Sequence, residues 1–168
     1  PRNIIYDSGS EKLTLIDLGI ATMLNHESSE INVKGFLEGS LDYISPEQTG
    51  RLNRALDYRS DFYSLGATLF HLAAGETLFE ADDPLGYVHC HIAQTPRRID
   101  SIKPKIPETF ANIIMKLLEK CADNRYASDA GIIYDFTQCL NELKADKPVK
   151  HFILGVNDFS HRFEIPQK

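Results

Sequence analysis

The sequence predicts a mainly α-helical domain with one small β-hairpin near its start. After residue 60, apolar residues fall into four segments of helical character, each beside a residue that commonly starts or ends a helix. Before residue 17, two short β-like runs flank a turn-forming stretch. A length of 168 residues, of which 42% are hydrophobic, suits one domain with one substantial core.

The hairpin is predicted from the runs at residues 3–6 and 13–16. Residues 7–10, Asp-Ser-Gly-Ser, join them and are turn formers. From residue 19 to residue 40 the sequence is polar and aperiodic, which is typical of a long exposed loop. Loops of this length are usually functional or disordered.

The first helix is predicted over Phe62 to Ala74, with Ser60 and Asp61 at its N-cap and Gly75 at its end. Its apolar residues cover nearly the whole circumference, so we expect it to be buried on most sides. Three more helices are predicted: one after Pro84, one after Pro107, and one from about Ser128 to Leu143.

A domain boundary is predicted after Lys144, where Pro148 interrupts a polar stretch. Residues 1–144 would form one domain. Residues 145–168 show no clear period and would be a linker or tail toward a further domain.

Composition argues against several classes of partner. The net charge of -6 and pI near 5.5 disfavour binding to nucleic acid or to an anionic membrane. No apolar run approaches the roughly 20 residues of a membrane span. Three cysteines, spaced far apart, suit reduced thiols, and we expect a cytoplasmic fragment because the chain begins without Met or a signal-like stretch.

Five short motifs follow one another along the chain. They are Pro-x-Asn at residues 1–3, Leu-Ile-Asp-Leu-Gly at 15–19, Ser-Pro-Glu at 45–47, Ser-Asp-Phe-Tyr-Ser-Leu-Gly at 60–66, and Asn-Arg-Tyr at 124–126. In this order and spacing they resemble the C-terminal lobe of Ser/Thr protein kinases, from the end of the catalytic loop to the late arginine. The resemblance covers residues 1–143 and implies a kinase C-lobe whose N-lobe is absent.

The resemblance implies transfer of the ATP γ-phosphate to Ser or Thr of a protein substrate. Asp17 would bind Mg²⁺, Asn3 would bind a second Mg²⁺, and Gly19 would let the chain turn beside them. Ser40 matches the hydroxyl that contacts the catalytic aspartate and the substrate site. Taken alone, residues 17–19 would be an ordinary turn at the end of a strand.

The remaining site residues have structural or regulatory roles by resemblance. Glu47 and Arg125 would form a largely buried ion pair that anchors the end of the activation segment. Asp61, besides capping its helix, would brace the catalytic loop. Ser28 and Ser29 are candidate phosphorylation sites, although a plain polar loop explains them equally well.

Parts of a kinase that lie outside this chain follow from the same resemblance. The catalytic aspartate would precede Asn3 by roughly five positions, and the glycine-rich loop and lysine that hold ATP would lie further upstream. The fragment alone should therefore be inactive, with one side exposed where the N-lobe would pack. Residues 154–168 resemble a junction in large bacterial signalling proteins, where ATPase, GAF and histidine kinase domains follow the kinase domain.

Two functions fit these observations. The chain is part of an active protein kinase, or it is a pseudokinase-type docking or regulatory module without catalysis. The presence of Asn3 and Asp17 favours the enzyme, because a scaffold does not need magnesium ligands.

Overall fold

The structure is a computed structural model that describes residues 3–16, 41–52, 54, 56–145 and 152–159. Across these residues the chain is mainly helical, with one two-stranded antiparallel sheet. The predicted fold class is confirmed.

The sheet is the predicted hairpin of β1 (Ile4–Asp7) and β2 (Lys12–Leu15). Its turn is closed by the Asp7 carboxylate, which accepts hydrogen bonds from the Gly9 amide at 2.9 Å and the Ser10 hydroxyl at 2.5 Å. The register pairs Ile4 with Leu15 and Tyr6 with Leu13. Side chains alternate along a strand, so these four share one face. Three of them, Tyr6, Leu13 and Leu15, are exposed, so this face of the hairpin is largely open.

The described residues form five helices, with short 3-10 turns before the first helix and between the last two. They are α1 (Arg59–Ala74), α2 (Pro84–Ala93), α3 (Ile99–Ile102), α4 (Glu108–Leu117) and α5 (Asp129–Lys144). The helices predicted after Pro84, after Pro107 and from Ser128 are confirmed. Sequence reasoning missed α3, because four residues are too few to show a helical period.

The start of α1 differs from the prediction. The helix ends at Gly75 as expected, with the glycine at φ +82°, but it begins at Arg59, so Ser60 and Asp61 lie inside its first turn. Asp57 takes over part of the capping, since its carboxylate accepts a hydrogen bond from the Arg59 amide at 2.8 Å. The predicted N-cap was therefore wrong, because Ser60 and Asp61 already lie in the helix.

The burial of α1 is also less complete than expected. One side, with Tyr63, Phe70 and Ala74, is buried. Leu65 and Leu72, seven residues apart and so on one stripe of the helix, are exposed. The prediction of burial on most sides is wrong for that stripe.

Two clusters of buried side chains make up the core. The central core joins α1 to α4 and consists of Tyr63, Ala67, Phe70, Ala74, Leu78, Phe79, Cys90, Ile99, Ala111, Ile114 and Leu118. The second core joins α4 to α5 and consists of Ile113, Leu117, Tyr126, Ile132 and Cys139. The two cores use neighbouring sides of α4, and Phe110 packs against both, so this helix links the two cores.

Close approach of α1 and α4 depends on Gly66. A Cβ atom at this position would lie 2.8 Å from the Leu117 Cβ, well inside normal contact distance. The glycine of the Ser-Leu-Gly motif therefore has a packing reason: it lets α4 lie directly against α1.

Residues 152–159 lie on the helices. Phe152 and Leu154 pack against the second core, and Asp158 contacts the start of α5. The division of the chain at residue 144 stays a prediction.

The described residues contain no helix that is both long enough and apolar enough to cross a membrane. All three cysteines are unpaired, and Cys90 and Cys139 are buried.

Candidate functional site

The hairpin fixes the position of the predicted magnesium ligand Asn3. Its carbonyl oxygen accepts a hydrogen bond from the Ile16 amide at 2.9 Å, which extends the β1–β2 ladder by one pair. Asn3 is exposed and lies beside the residue that directly precedes Asp17. The hairpin thus brings together two chain positions that are 13 apart in the sequence.

Five of the predicted site residues lie outside the described residues: Asp17, Gly19, Ser28, Ser29 and Ser40. Their predicted roles stay predictions. The segment that follows them, residues 41–50, is described, and it is called the platform segment below.

The platform segment is attached to α1 through side chains at both of its ends. The Tyr43 hydroxyl lies 2.7 Å from His71 Nδ1, and the Ser64 hydroxyl donates to the Tyr43 carbonyl at 2.8 Å. Further along, the Ser60 hydroxyl donates to Glu47 at 2.8 Å. Side chains from the first turn of α1 to its last turn therefore hold the platform segment against the helical part.

Glu47 and Arg125 form a buried, two-pronged ion pair. Arg125 Nη1 and Nη2 donate to Glu47 Oε1 and Oε2 at 2.6 and 2.9 Å, and the two side chains are 0% and 4% exposed. Burial alone would raise the pKa of Glu47, but the hydrogen bonds and charge of Arg125, with the Ser60 hydroxyl, hold that pKa below its usual value. Glu47 is thus kept ionised where an unpaired carboxylate would be costly.

The remaining donors of Arg125 reach backbone carbonyls. They bond Arg59 at 2.9 Å, Glu119 at 2.8 Å and Lys120 at 3.2 Å. One guanidinium therefore ties the platform segment to the start of α1 and to the end of α4. This geometry suits an anchor, since arginine presents its five donors in a rigid fork.

A buried aromatic and cationic network extends from this ion pair, and the sequence analysis missed it. The Arg125 guanidinium lies 5.0 Å from the centre of the Tyr63 ring, and the Tyr63 hydroxyl lies 2.9 Å from His91 Nδ1. Lys120 Nζ lies over the rings of Tyr63 and Phe79, at 5.6 and 4.8 Å. Residues of α1, of α2 and of three loop positions, Phe79, Lys120 and Arg125, thus meet around one tyrosine of the central core.

Burial lowers the pKa of two members of this network, His91 and Lys120. Burial, and to a lesser extent the charge of Lys120, lowers the pKa of His91 to about 4. Burial likewise lowers the pKa of Lys120 to about 8. His91 is therefore neutral near pH 7, which suits a buried ring close to the Lys120 cation.

Asp61 lies in the first turn of α1 and is exposed as a residue, yet its carboxyl is shielded enough for burial to raise its pKa. Within the described part of the chain it accepts no side-chain hydrogen bond. The expected brace to a catalytic loop stays a prediction, because that loop would precede Asn3.

The sequence matches the protein kinase domain family over residues 1–142. This chain belongs to the protein kinase domain family. The match covers the hairpin, the platform segment, the helices α1 to α4 and α5 up to residue 142. The motif order found in the sequence is accordingly that of a kinase domain.

Known relatives include proteins named as serine/threonine kinases. A probable serine/threonine-protein kinase of Clostridium perfringens is 35% identical over 150 residues, which are 89% of this chain and 20% of that protein. Serine/threonine-protein kinase PknB of Mycolicibacterium smegmatis is 30% identical over 152 residues, 88% of this chain and 23% of that protein. The chain therefore spans less than a quarter of either relative.

A different kind of relative is named as a histidine kinase. Hybrid signal transduction histidine kinase G of Dictyostelium discoideum is 41% identical over 93 residues, which are 55% of this chain and only 3% of that protein. Kinase-domain sequences similar to this chain thus occur within very long signalling proteins. The relatives come from bacteria and from an amoeba, so a bacterial source stays a prediction.

Proposed function

We propose that this chain is the C-terminal lobe of a Ser/Thr protein kinase that transfers the γ-phosphate of ATP to Ser or Thr hydroxyls of a protein substrate. Asn3 and Asp17 would hold Mg²⁺, and Ser40 and the platform segment would receive the substrate. The catalytic aspartate and the residues that hold ATP would come from sequence upstream of Pro1, so the 168 residues alone would be inactive.

The observation that carries the proposal is the pairing of Asn3 with Ile16 at the open end of the hairpin. An amide oxygen and a carboxylate are ligands that Mg²⁺ prefers, and the hairpin pairs Asn3 with Ile16, the residue that precedes Asp17 in the sequence. When bound, Mg²⁺ neutralises charge on the β- and γ-phosphates. A docking module without catalysis has no need for this pair.

The buried Glu47–Arg125 pair supports the other half of the proposal. Phosphoryl transfer depends mainly on positioning, so the surface that receives the substrate must be held rigidly. The ion pair and the α1 contacts hold the platform segment in this way. Ser/Thr specificity is supported by the names of the relatives that cover most of the chain.

The wider setting is proposed from the long histidine kinase relatives. Further signalling domains would follow in the same protein, and the protein would act in the cytoplasm. Phosphorylation of Ser28 or Ser29 would add charge and acceptor oxygens to the loop before the platform segment.

The experiment that tests the proposal measures phosphoryl transfer by the protein that includes the residues upstream of Pro1. We expect Asp17→Asn to abolish transfer, because the amide loses the charge that binds Mg²⁺, and Asn3→Ala to reduce it strongly. Asp82→Asn, which changes an exposed aspartate of the same lobe, is the matched control and should leave transfer unchanged. Unchanged signalling output in cells with Asp17→Asn would point to a docking module instead.

A further inference from the structure

The segment after α5 is attached to the kinase lobe by apolar contacts and by hydrogen bonds. Phe152 and Leu154 face the second core, whereas Ile153 between them is 80% exposed. The chain then turns at Gly155, whose φ of +74° suits glycine, and the Asp158 amide donates to the Gly155 carbonyl at 3.1 Å. Residues 152–159 are called the clip below.

Asp158 is the main polar contact of the clip. Its carboxylate accepts hydrogen bonds from the Ala127 amide at 2.7 Å and from the Ser128 amide and hydroxyl, both at 2.8 Å. Ser128 is the N-cap of α5 and itself accepts from the Gly131 amide at 3.1 Å. A carboxylate at the start of a 16-residue helix is also favoured by the helix dipole.

The sequence of α5 leaves room for this carboxylate. Gly131 lies in the first turn of the helix, where glycine is about 1 kcal/mol less favourable than alanine. A Cβ atom there would lie 2.6 Å from Asp158 Oδ1 and 2.7 Å from Asp158 Cβ. Gly131 therefore makes α5 less stable than alanine would, but it leaves free the space that the Asp158 carboxylate occupies.

A second contact joins the clip to the same part of the lobe. The Gly155 amide donates to Asp135 Oδ2 at 2.8 Å, and the same oxygen accepts from the Tyr126 hydroxyl at 2.6 Å. Asp135 is fully buried. The clip therefore holds the backbone at Ala127 and Ser128 through Asp158, and Asp135 of α5 links the clip to the side chain of Tyr126.

The peptide from Tyr126 to Ser128 continues directly from Arg125. Ala127 is held on both sides, because its amide donates to Asp158 and its carbonyl accepts from the Tyr58 hydroxyl at 2.7 Å. Two residues earlier, the Arg125 guanidinium holds Glu47 in the platform segment. The short stretch of backbone from Tyr126 to Ser128 thus connects the clip to the anchor of the platform segment.

We propose that Asp158 is a positioning residue for the kinase reaction: it fixes residues 126–128, and through them it holds Arg125 in the geometry that anchors the platform segment. Whatever follows the clip in the chain would then act on the substrate platform by pulling on or relaxing this contact. The consequence for catalysis rests on the proposed function, but the mechanical coupling does not.

The coupling is tested by hydrogen exchange on the whole 168-residue chain. The amides of residues 48–50 donate to carbonyls of residues 45–47 and report on the anchor. We expect Asp158→Ala to speed their exchange about tenfold, the effect of losing about 1.4 kcal/mol of charge-assisted hydrogen bonding. Ile153→Ala, in the same clip but exposed, is the control and should leave these amides unchanged.

A merely local role gives a different result. If Asp158 only caps α5, exchange will rise at residues 127–131 and stay at the wild-type rate at residues 48–50, and the inference is then overturned. Faster exchange in the centre of α1 as well would mean that Asp158→Ala destabilises the whole lobe. The milder Asp158→Asn is then compared with wild type at residues 127–131 and at residues 48–50. Equal exchange in wild type and Asp158→Asn at all these amides likewise overturns it.

Gly131→Ala gives a test of opposite sign. Alanine should stabilise α5 by its helix propensity if the clip is unimportant, whereas displacement of Asp158 should speed exchange at residues 48–50 as Asp158→Ala does. Slower or unchanged exchange at those amides contradicts the proposal.

Phosphoryl transfer separates this inference from the proposed function. In the protein with its upstream residues, we expect Asp158→Ala to lower kcat/KM for a protein substrate about tenfold and to leave the KM for ATP unchanged. An inactive wild-type protein would defeat the proposed function while the exchange result stands. An active wild type with equal kcat/KM in the variant would defeat the positioning role.

Discussion

At the scale of single residues, the most heavily bonded side chain of the site is Arg125. Its guanidinium makes five hydrogen bonds, two to Glu47 and three to backbone carbonyls. Sequence motifs predicted the Glu47 partner by resemblance, but the three carbonyl acceptors depend on how the end of α4 and the start of α1 meet. The structure therefore shows why this position needs arginine, since lysine could not reach all these acceptors at once.

Substitution of either ion-pair partner should strongly destabilise the lobe. We expect Arg125→Ala or Glu47→Ala to lower the free energy of unfolding by about 3–5 kcal/mol, because one buried charge is left unpaired. Urea denaturation measures this loss. Glu76→Ala, which breaks the exposed pair with Arg97, is the control and should cost less than about 1 kcal/mol. Equal losses in the buried and exposed pairs would contradict the account.

His91 should make stability depend on pH. Its folded-state pKa of about 4 lies below the ordinary value of 6.5, so the unfolded chain binds the extra proton between these values. Stability is then fully present above pH 6.5 and is lost as the pH falls toward 4, by at most about 3 kcal/mol. Urea denaturation across this range should show a shallower pH slope for His91→Phe than for wild type. Parallel slopes would mean that His91 does not titrate in this way.

At the scale of secondary-structure elements, local sequence signals predicted the positions of most helices, but they did not predict where α1 begins or which of its sides are buried. Pro84, Pro107 and Gly75 mark helix ends by backbone constraints that act within a few residues, so their effect is visible in the sequence. The predicted start of α1 was wrong. Ser60 and Asp61 are good capping residues, but the helix already begins at Arg59, whose amide donates to the Asp57 carboxylate. Capping propensity alone did not indicate which residue would begin the helix.

The contact between α1 and α4 should be sensitive to one methyl group. We expect Gly66→Ala to destabilise the chain by about 1–3 kcal/mol, because the new Cβ meets Leu117 and the clash outweighs the gain in helix propensity. Thermal or urea denaturation measures the loss.

A double-variant cycle checks the cause of that loss. Leu117→Gly removes the Cβ atom that the new methyl group would meet, so the double variant should lose less stability than the sum of the two single variants. Additive losses would show that Gly66 matters for a reason other than its contact with α4.

At the scale of the whole molecule, the order of motifs predicted the family and the fold class, and both predictions are confirmed. The network of Tyr63, His91 and Lys120 could not be predicted, because its members come from α1, from α2 and from the loop after α4, and they show no pattern in sequence. The clip was missed for a similar reason: residues 152–159 have no period, and their contacts are with α5. Gly131 within a helix was the one available signal of a close approach.

The central claim is that this lobe belongs to a catalytically competent kinase, and the coding sequence upstream of Pro1 tests it most directly. The account predicts an aspartate about five positions before Asn3, preceded by a strand lysine and a glycine-rich loop. All three together would complete the site around Asn3 and Asp17. If the aspartate or the lysine is absent, the account is contradicted and the lobe is a binding module.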